Sequence, residues 1–227
     1  MKGLRVTAGV VNAVCLMLLI LYFSVQLPTF SPWFYSYEYE KNGTYEVVNM
    51  EKDDLMAVTT HMIDYMRGKE AKLNVETRVS GEERLFFSET EVLHMEDVRG
   101  LFDMGRLIRN VSAVLFIATT VFLVWQKRKG ILTMLKCWRA AVLSMLAAGV
   151  GLSVLIALGF DRAFIVFHEI FFSNDLWLLD PADLLVNIVP TPFFMDIAMF
   201  IGVTFALVLA VVGTSAAVIL RNNKSNS

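Results

Sequence analysis

Val6-Thr-Ala-Gly-Val-Val-Asn-Ala-Val-Cys-Leu-Met-Leu-Leu-Ile-Leu-Tyr-Phe-Ser-Val-Gln-Leu27 decides the fold. No charge interrupts it, and a bilayer core about 30 Å thick is crossed by roughly 20 helical residues. Lys2 and Arg5 precede it as they would a secretory signal, but the apolar run is longer than the roughly 7–15 residues of a signal core. No small-residue cleavage site follows, so a retained membrane helix is expected.

Outward from this stretch, residues 110–126, 140–160 and 197–220 are also uncharged and apolar. Residues 110–126 are short for a span, and Arg106 and Arg109 lengthen it if their stems snorkel to the interface. Gly149, Gly151, Gly202 and Gly213 would let neighbouring helices approach closely. The whole composition agrees: of 227 residues 56% are hydrophobic and only 19% charged, against about 45–50% and 25% in soluble domains. A net charge of −2 gives no basic surface for nucleic acid. The 2 cysteines, Cys15 and Cys137, supply neither a disulfide framework nor a four-ligand zinc site. The expected fold is therefore all-α transmembrane, a four-helix membrane bundle.

Orientation follows the lysines and arginines. Lys2, Arg5, Lys127, Arg128, Lys129, Lys136, Arg139, Arg221 and Lys224 fall on one side of this topology, while every Asp and Glu lies in residues 28–105 or 161–196 on the other. Basic flanks stay cytoplasmic, so both termini and the 127–139 loop are expected on the cytoplasmic side of the cell membrane. The chain then divides into helix 1 (1–27), a small α+β extracytoplasmic cap (28–105), helices 2 and 3 with their basic loop (106–160), a membrane-surface segment (161–196), and helix 4 with a polar tail at 222–227 (197–227).

Within the cap, the alternating aromatics of 33–39, the Asn42-Gly43 turn signal and residues 45–48 read as a hairpin. A helix is expected over 53–67, then a second hairpin from 73–79 and 84–87 about Ser80-Gly81. Ser88-Glu-Thr-Glu91 has the capping-box pattern, so a helix should begin there and run on into the second span. In the apolar 161–196 segment, 163–172 and 181–189 read as short helices, and Pro190 and Pro192 introduce the last span.

The 3 histidines are His61, His94 and His168. His94 shares a helical stripe with Val98, Leu101, Gly105 and Ile108, and His168 sits among aromatics in Phe164-Ile-Val-Phe-His-Glu-Ile-Phe-Phe172. Each alone is more often an interfacial or packed residue than a catalytic one. Together, on the membrane ends of two outer segments, they suit proton transfer, with an ordinary pKa of about 6.5. His61 reads as surface or packing, and the 33–39 aromatics as an interfacial belt. Asp97 and Asp175 are candidates to orient an imidazole, although Asp97 is expected on a different azimuth of the helix from His94 and an acidic residue near an interface is commonly just solvated. His168-Glu169 lacks the second histidine of a zinc-protease motif, and no nucleophile elbow, phosphate loop or dinucleotide fingerprint is present.

Glu91-Val-Leu-His-Met-Glu-Asp-Val-Arg-Gly-Leu-Phe102, Phe167-His-Glu-Ile-Phe-Phe-Ser-Asn-Asp-Leu-Trp177 and the Ile188-Val-Pro-Thr-Pro-Phe-Phe194 run resemble the bacterial lipoprotein intramolecular transacylases over nearly the whole chain. The resemblance implies an acyltransferase that moves the sn-2 acyl chain of a diacylglyceryl lipoprotein to the N-terminal cysteine amine, giving a lyso-form lipoprotein. It also implies His94 and His168 as catalytic residues, diacylglyceryl lipoproteins and membrane lipids as partners, no cofactor or metal, and an outward-facing site. A monomer is expected. Two rival readings remain open here: a non-enzymatic scaffold or accessory subunit, and a metal-dependent membrane hydrolase using His94, His168 and a carboxylate.

Overall fold

The computed structural model describes residues 2–225. Its elements are α1 (Lys2–Thr29), α2 (Pro32–Asn42), α3 (Thr44–Val47), α4 (Lys52–Met66), β1 (Glu76–Val79), β2 (Glu82–Leu85), α5 (Glu89–Trp125), α6 (Lys127–Leu158), α7 (Phe160–Phe171), α8 (Leu184–Ile188) and α9 (Thr191–Ser225). Four of them, α1, α5, α6 and α9, are long and apolar enough to cross a membrane. The polar tail continues α9 as far as Ser225, and Asn226 and Ser227 lie outside the described residues.

The chain forms two compact units. The first gathers α1 up to Val25, Gly105–Leu158 and the chain from Ile201 onward. Its packing is apolar, with Met17 and Ile20 of α1 against Val142 of α6 and Leu209 of α9. One polar hub is buried in it. The Asn12 amide donates to the Phe116 carbonyl (3.1 Å) and the Thr119 (3.0 Å) and Thr120 (2.8 Å) hydroxyls, and its oxygen accepts the Trp138 indole N–H at 2.7 Å. Every polar atom of Asn12 thus has a partner, which a side chain away from water requires. Large apolar residues such as Trp125, Leu155 and Leu158 remain exposed, as helix faces that meet lipid must.

Of the glycines expected to admit close helix contact, only Gly213 does so. A Cβ there would lie 2.9 Å from Val142 Cγ1, whereas Gly149, Gly151 and Gly202 have open space around them. Gly9 plays the same role unforeseen, 2.9 Å from Cys137 Sγ. The expected basic loop at 127–139 is also corrected. These residues form the first turns of α6, because Lys, Leu and Met are good helix formers and no proline interrupts them. Gln126 alone joins α5 to α6, with Lys127 at φ 53°. Gly130 makes so tight a turn feasible, since a Cβ there would meet the Leu123 carbonyl oxygen at 1.8 Å.

The second unit comprises Gln26–Met104 and Gly159–Phe200. It is mostly helical, with one antiparallel hairpin pairing Glu76 with Leu85 and Val79 with Glu82. Ser80 (φ 54°) and Gly81 (φ 86°) both take the left-handed backbone that such a two-residue turn needs. The first expected hairpin does not form. Pro32 opens α2 at a position where its missing N–H costs nothing, and Phe34, Tyr35, Glu38 and Tyr39 then fall on one helical face and are buried. Gly43 closes α2 as a left-handed cap, its N–H donating to the Tyr39 carbonyl, so the Asn-Gly pair ends a helix instead of turning a hairpin. The helix expected over 181–189 is confined to α8. The core joins α2 and α4 to the strands, α5 and α8 through Tyr39, Leu55, Val58, Ile63, Phe86, Met95, Leu185 and Ile188.

Candidate active site

Ser88 and Glu91 form the reciprocal capping box: the Ser88 backbone N–H donates to Glu91 Oε2, and the Glu91 N–H donates to Ser88 Oγ at 3.3 Å. Glu91 does more than its motif indicates. Its other oxygen, Oε1, accepts the Leu185 backbone N–H, so one buried carboxylate caps the start of α5 and of α8 together. This ties the 159–200 segment to the helix that carries His94.

His94 follows Glu91 by three residues and is therefore on the same side of α5. It is 8% exposed and His168 7%, and their ring centres lie 6.2 Å apart with planes inclined at 32°. The expected pair is brought together. The expected stripe beneath His94 is only partly inward, since Val98 and Leu101 are half-buried and Ile108 is exposed.

Aromatic rings enclose the pair. The His168 ring stacks on Trp177 (4.8 Å, 30°), lies 4.1 Å from Phe164 one helical turn earlier, and meets Phe172 at 5.5 Å. Phe172 also contacts His94 edge-on at 5.3 Å. His168 Nδ1 lies 2.7 Å from the Phe164 carbonyl oxygen. A carbonyl oxygen can only accept, so Nδ1 carries the hydrogen and, in the neutral ring, Nε2 holds the free lone pair. Nδ1 of His94 is buried without a hydrogen-bond partner.

His94 stands in the charged N-terminal part of α5, ahead of the uncharged stretch that starts at Asn110. Burial, then the neighbouring His168, lower its pKa to about 4 against an opposing pull from Asp97. His168 is also lowered by burial, opposed by its bond to the Phe164 carbonyl. Both rings are consequently neutral at pH 7.

Asp97 is placed beside His94 and accepts the Asn174 amide N–H at 2.8 Å. Asp175 is exposed, and the turn uses its carbonyl, which accepts the Leu178 N–H. His61 is placed elsewhere in the unit, with Nε2 2.9 Å from the Lys72 carbonyl oxygen. Among the described residues no group of three or more His, Cys, Asp or Glu converges as metal ligands would. Glu91, Phe164, Asn174 and Trp177 were not singled out from the sequence as parts of the site. The capping box marks one arm of Glu91 and the i, i+4 spacing to His168 marks Phe164; nothing local marks Asn174 or Trp177 as parts of the site.

Four membrane-crossing helices and a buried, aromatic-walled pair of neutral imidazoles define a multi-pass membrane protein equipped for proton transfer. The family model for the lipoprotein intramolecular transacylase Lit matches residues 10–194, and the chain belongs to that family of enzymes. No curated protein matches at a significant level. Among solved structures, the chain is similar to the membrane integral lipoprotein intramolecular transacylase Lit from Bacillus cereus, with 19% identity, a TM-score of 0.81 and full coverage of both chains (100% and 100%). Two structures of that protein carrying a histidine substitution align over 100% of this chain and 96% or 97% of theirs, at 18% and 19% identity and TM-score 0.75. At such identities the likeness speaks for the fold.

Proposed function

We propose that this protein moves the sn-2 acyl chain of a diacylglyceryl lipoprotein to the α-amine of its N-terminal cysteine, using His94 and His168 at a site facing outward from a cell membrane in which both termini are cytoplasmic. The reading rests above all on two buried imidazoles 6.2 Å apart, a spacing that admits one reacting centre with a ring nitrogen about 3 Å away on either side.

The chemistry divides between the rings. The free-base amine attacks the ester carbonyl, a C–N bond forms, and the nitrogen becomes strongly acidic. His168 Nε2, whose lone pair is free because Nδ1 is held by the Phe164 carbonyl, takes that proton. The resulting imidazolium, made a stronger acid by its burial, returns the proton to the departing glycerol oxygen as the C–O bond breaks. His94, neutral at pH 7, donates an N–H to the oxyanion that develops in between. No energy source is needed, since an ester is exchanged for an amide and the two groups share one molecule, which removes much of the entropic barrier. Phe164, Phe172 and Trp177 keep water from competing with the amine.

The test is conversion of a diacylglyceryl lipopeptide by the purified full chain, read by mass spectrometry of the product and of its deacylated fragments. Appearance of an N-acyl, lyso-glyceryl product of unchanged total mass supports the reading. Net loss of the acyl chain to water would make the protein a hydrolase instead.

A further inference from the structure

α7 ends at Phe171, and the chain turns back through residues 172–177 before α8. This turn supplies two of the rings that fix the histidines: Phe172 touches both, and Trp177 covers one face of His168. Phe172 is buried and its N–H donates to the His168 carbonyl at 2.8 Å, so the start of the turn is secured. Its middle is not, because Ser173, Asn174 and Asp175 are exposed.

The Asp175 carbonyl, which accepts the Leu178 N–H at 3.0 Å, closes the far end of the turn, and the Asn174 side chain ties its middle to another helix. Asn174 Oδ1 accepts the Leu176 backbone N–H at 3.0 Å, the local bond by which an asparagine closes a turn on itself. Its Nδ2 donates to Asp97 Oδ2 at 2.8 Å, across 77 residues of sequence. Asp97 stands three residues beyond His94 on the same helix and hence on the same side. A single amide therefore shapes the turn that carries Trp177 and fastens it to the helix that carries His94.

Resting on the functional reading above, we propose that Asp97 and Asn174 act as a positioning pair: their hydrogen bond holds the 172–177 turn against α5, which seats Trp177 on His168 and fixes that imidazole in register with His94. Neither residue touches the reacting atoms. The Nδ1 bond to Phe164 restrains the His168 ring at one edge, and rotation about that edge is limited by two neighbouring rings, Phe164 from its own helix at 4.1 Å and Trp177 from the turn at 4.8 Å. Release of the turn removes the Trp177 contact. An imidazole free to swing by about 1 Å loses on the order of a hundredfold in rate.

The pair makes a prediction that simple charge placement does not. Asp97→Asn keeps an oxygen that can accept from Asn174, so it should retain activity within a few fold of wild type. Asp97→Ala and Asn174→Ala should each lose roughly 10- to 100-fold in kcat with KM little changed, because the bound substrate is not what moves. Asn174→Asp still accepts the Leu176 N–H but sets a carboxylate against Asp97, and should fail like alanine. Combining Asp97→Asn with Asn174→Asp restores one donor and one acceptor in reversed order and should recover most of the lost rate.

The measurement is conversion of a diacylglyceryl lipopeptide by each full-length variant in membranes, normalised to the amount of folded protein. Recovery in the swapped double variant supports the positioning pair. Asp97→Asn as inactive as Asp97→Ala, with no recovery on swapping, would overturn it and make the charge of Asp97 itself the active feature. Full activity of both alanine variants would overturn it as well. If wild type forms no lyso-product, the functional reading fails and takes the proposal with it; if wild type is active and the clasp variants are unaffected, the proposal fails alone.

Discussion

Replacing Glu91 with alanine should loosen α8 from α5 without unfolding the membrane helices. Glu91 is 1% exposed and holds two backbone N–H groups, those of Ser88 and Leu185, on its two oxygens. Each hydrogen bond to a charged acceptor contributes about 1.5–3 kcal/mol, and the buried Leu185 N–H has no water to turn to. Loss of that one bond predicts that amides of Leu184–Ile188 exchange with solvent roughly 10- to 100-fold faster, at about 1.4 kcal/mol per factor of ten. Glu91→Gln should fall between, since one amide oxygen can serve one of the donors while its NH2 group faces the other. Hydrogen exchange read by mass spectrometry on peptides covering residues 181–190 is the assay. Unchanged exchange in a folded Glu91→Ala protein would refute the view that this carboxylate joins the two segments.

Four further outcomes are expected. Because burial holds the His94 pKa at about 4, that ring stays neutral as pH falls from 8 to 6, and the rate should rise with pH toward the substrate amine's pKa of about 7.7–8.0; a pH–rate profile that falls as pH rises from 6 to 8 would contradict this. The lowered pKa values of both imidazoles mean that the unfolded chain binds more protons below about pH 6.5, so stability should decline from there downward. Glu38 is buried, and its pKa is raised by that burial and by nearby Asp196. Its contribution to stability is therefore lost as pH rises through the carboxylate range, and Glu38→Gln should raise the melting temperature at pH 8 more than at pH 5, as thermal melts in detergent would report. Gly130→Ala drives a methyl group onto the Leu123 carbonyl, which backbone cannot yield to; it should cost more than the ~1–3 kcal/mol of ordinary overpacking and lower membrane abundance, measured by immunoblot.

The membrane helices were legible because length and absence of charge are local properties, and the Ser88–Glu91 box and the Ser80-Gly81 turn because their chemistry is complete within a few residues. The 33–48 region was misread for a physical reason. Aromatics at alternating positions in a strand also include the i, i+4 pair Tyr35–Tyr39, which shares a helical face with Phe34 and Glu38, and Pro32 with Gly43 settles the choice at the two ends. The start of α6 was hidden by its charges, which read as a loop although they are compatible with helix. Both histidines stand out as residues, but their neighbourhood does not, because Asn174 and the second arm of Glu91 act through contacts with residues distant along the chain, and Trp177 reaches His168 only through the turn that Asn174 shapes. No spacing in the sequence encodes those contacts.

The central claim is tested most directly by fragment-ion mass spectrometry of the N-terminal lipopeptide from a diacylglyceryl lipoprotein co-expressed with the full-length chain or its histidine variants, because the transfer leaves total mass unchanged and only fragments place the acyl chain on the amine or on the glycerol, with membrane abundance followed in parallel. Wild type should yield the lyso-form, and His94→Ala and His168→Ala should leave the diacyl form at normal abundance, since removing an acid–base group costs about 10²–10⁴ in rate. His61→Ala, whose ring is bonded to the Lys72 carbonyl outside the pair, should convert normally. Full conversion by either His94→Ala or His168→Ala would contradict the assignment of the paired imidazoles.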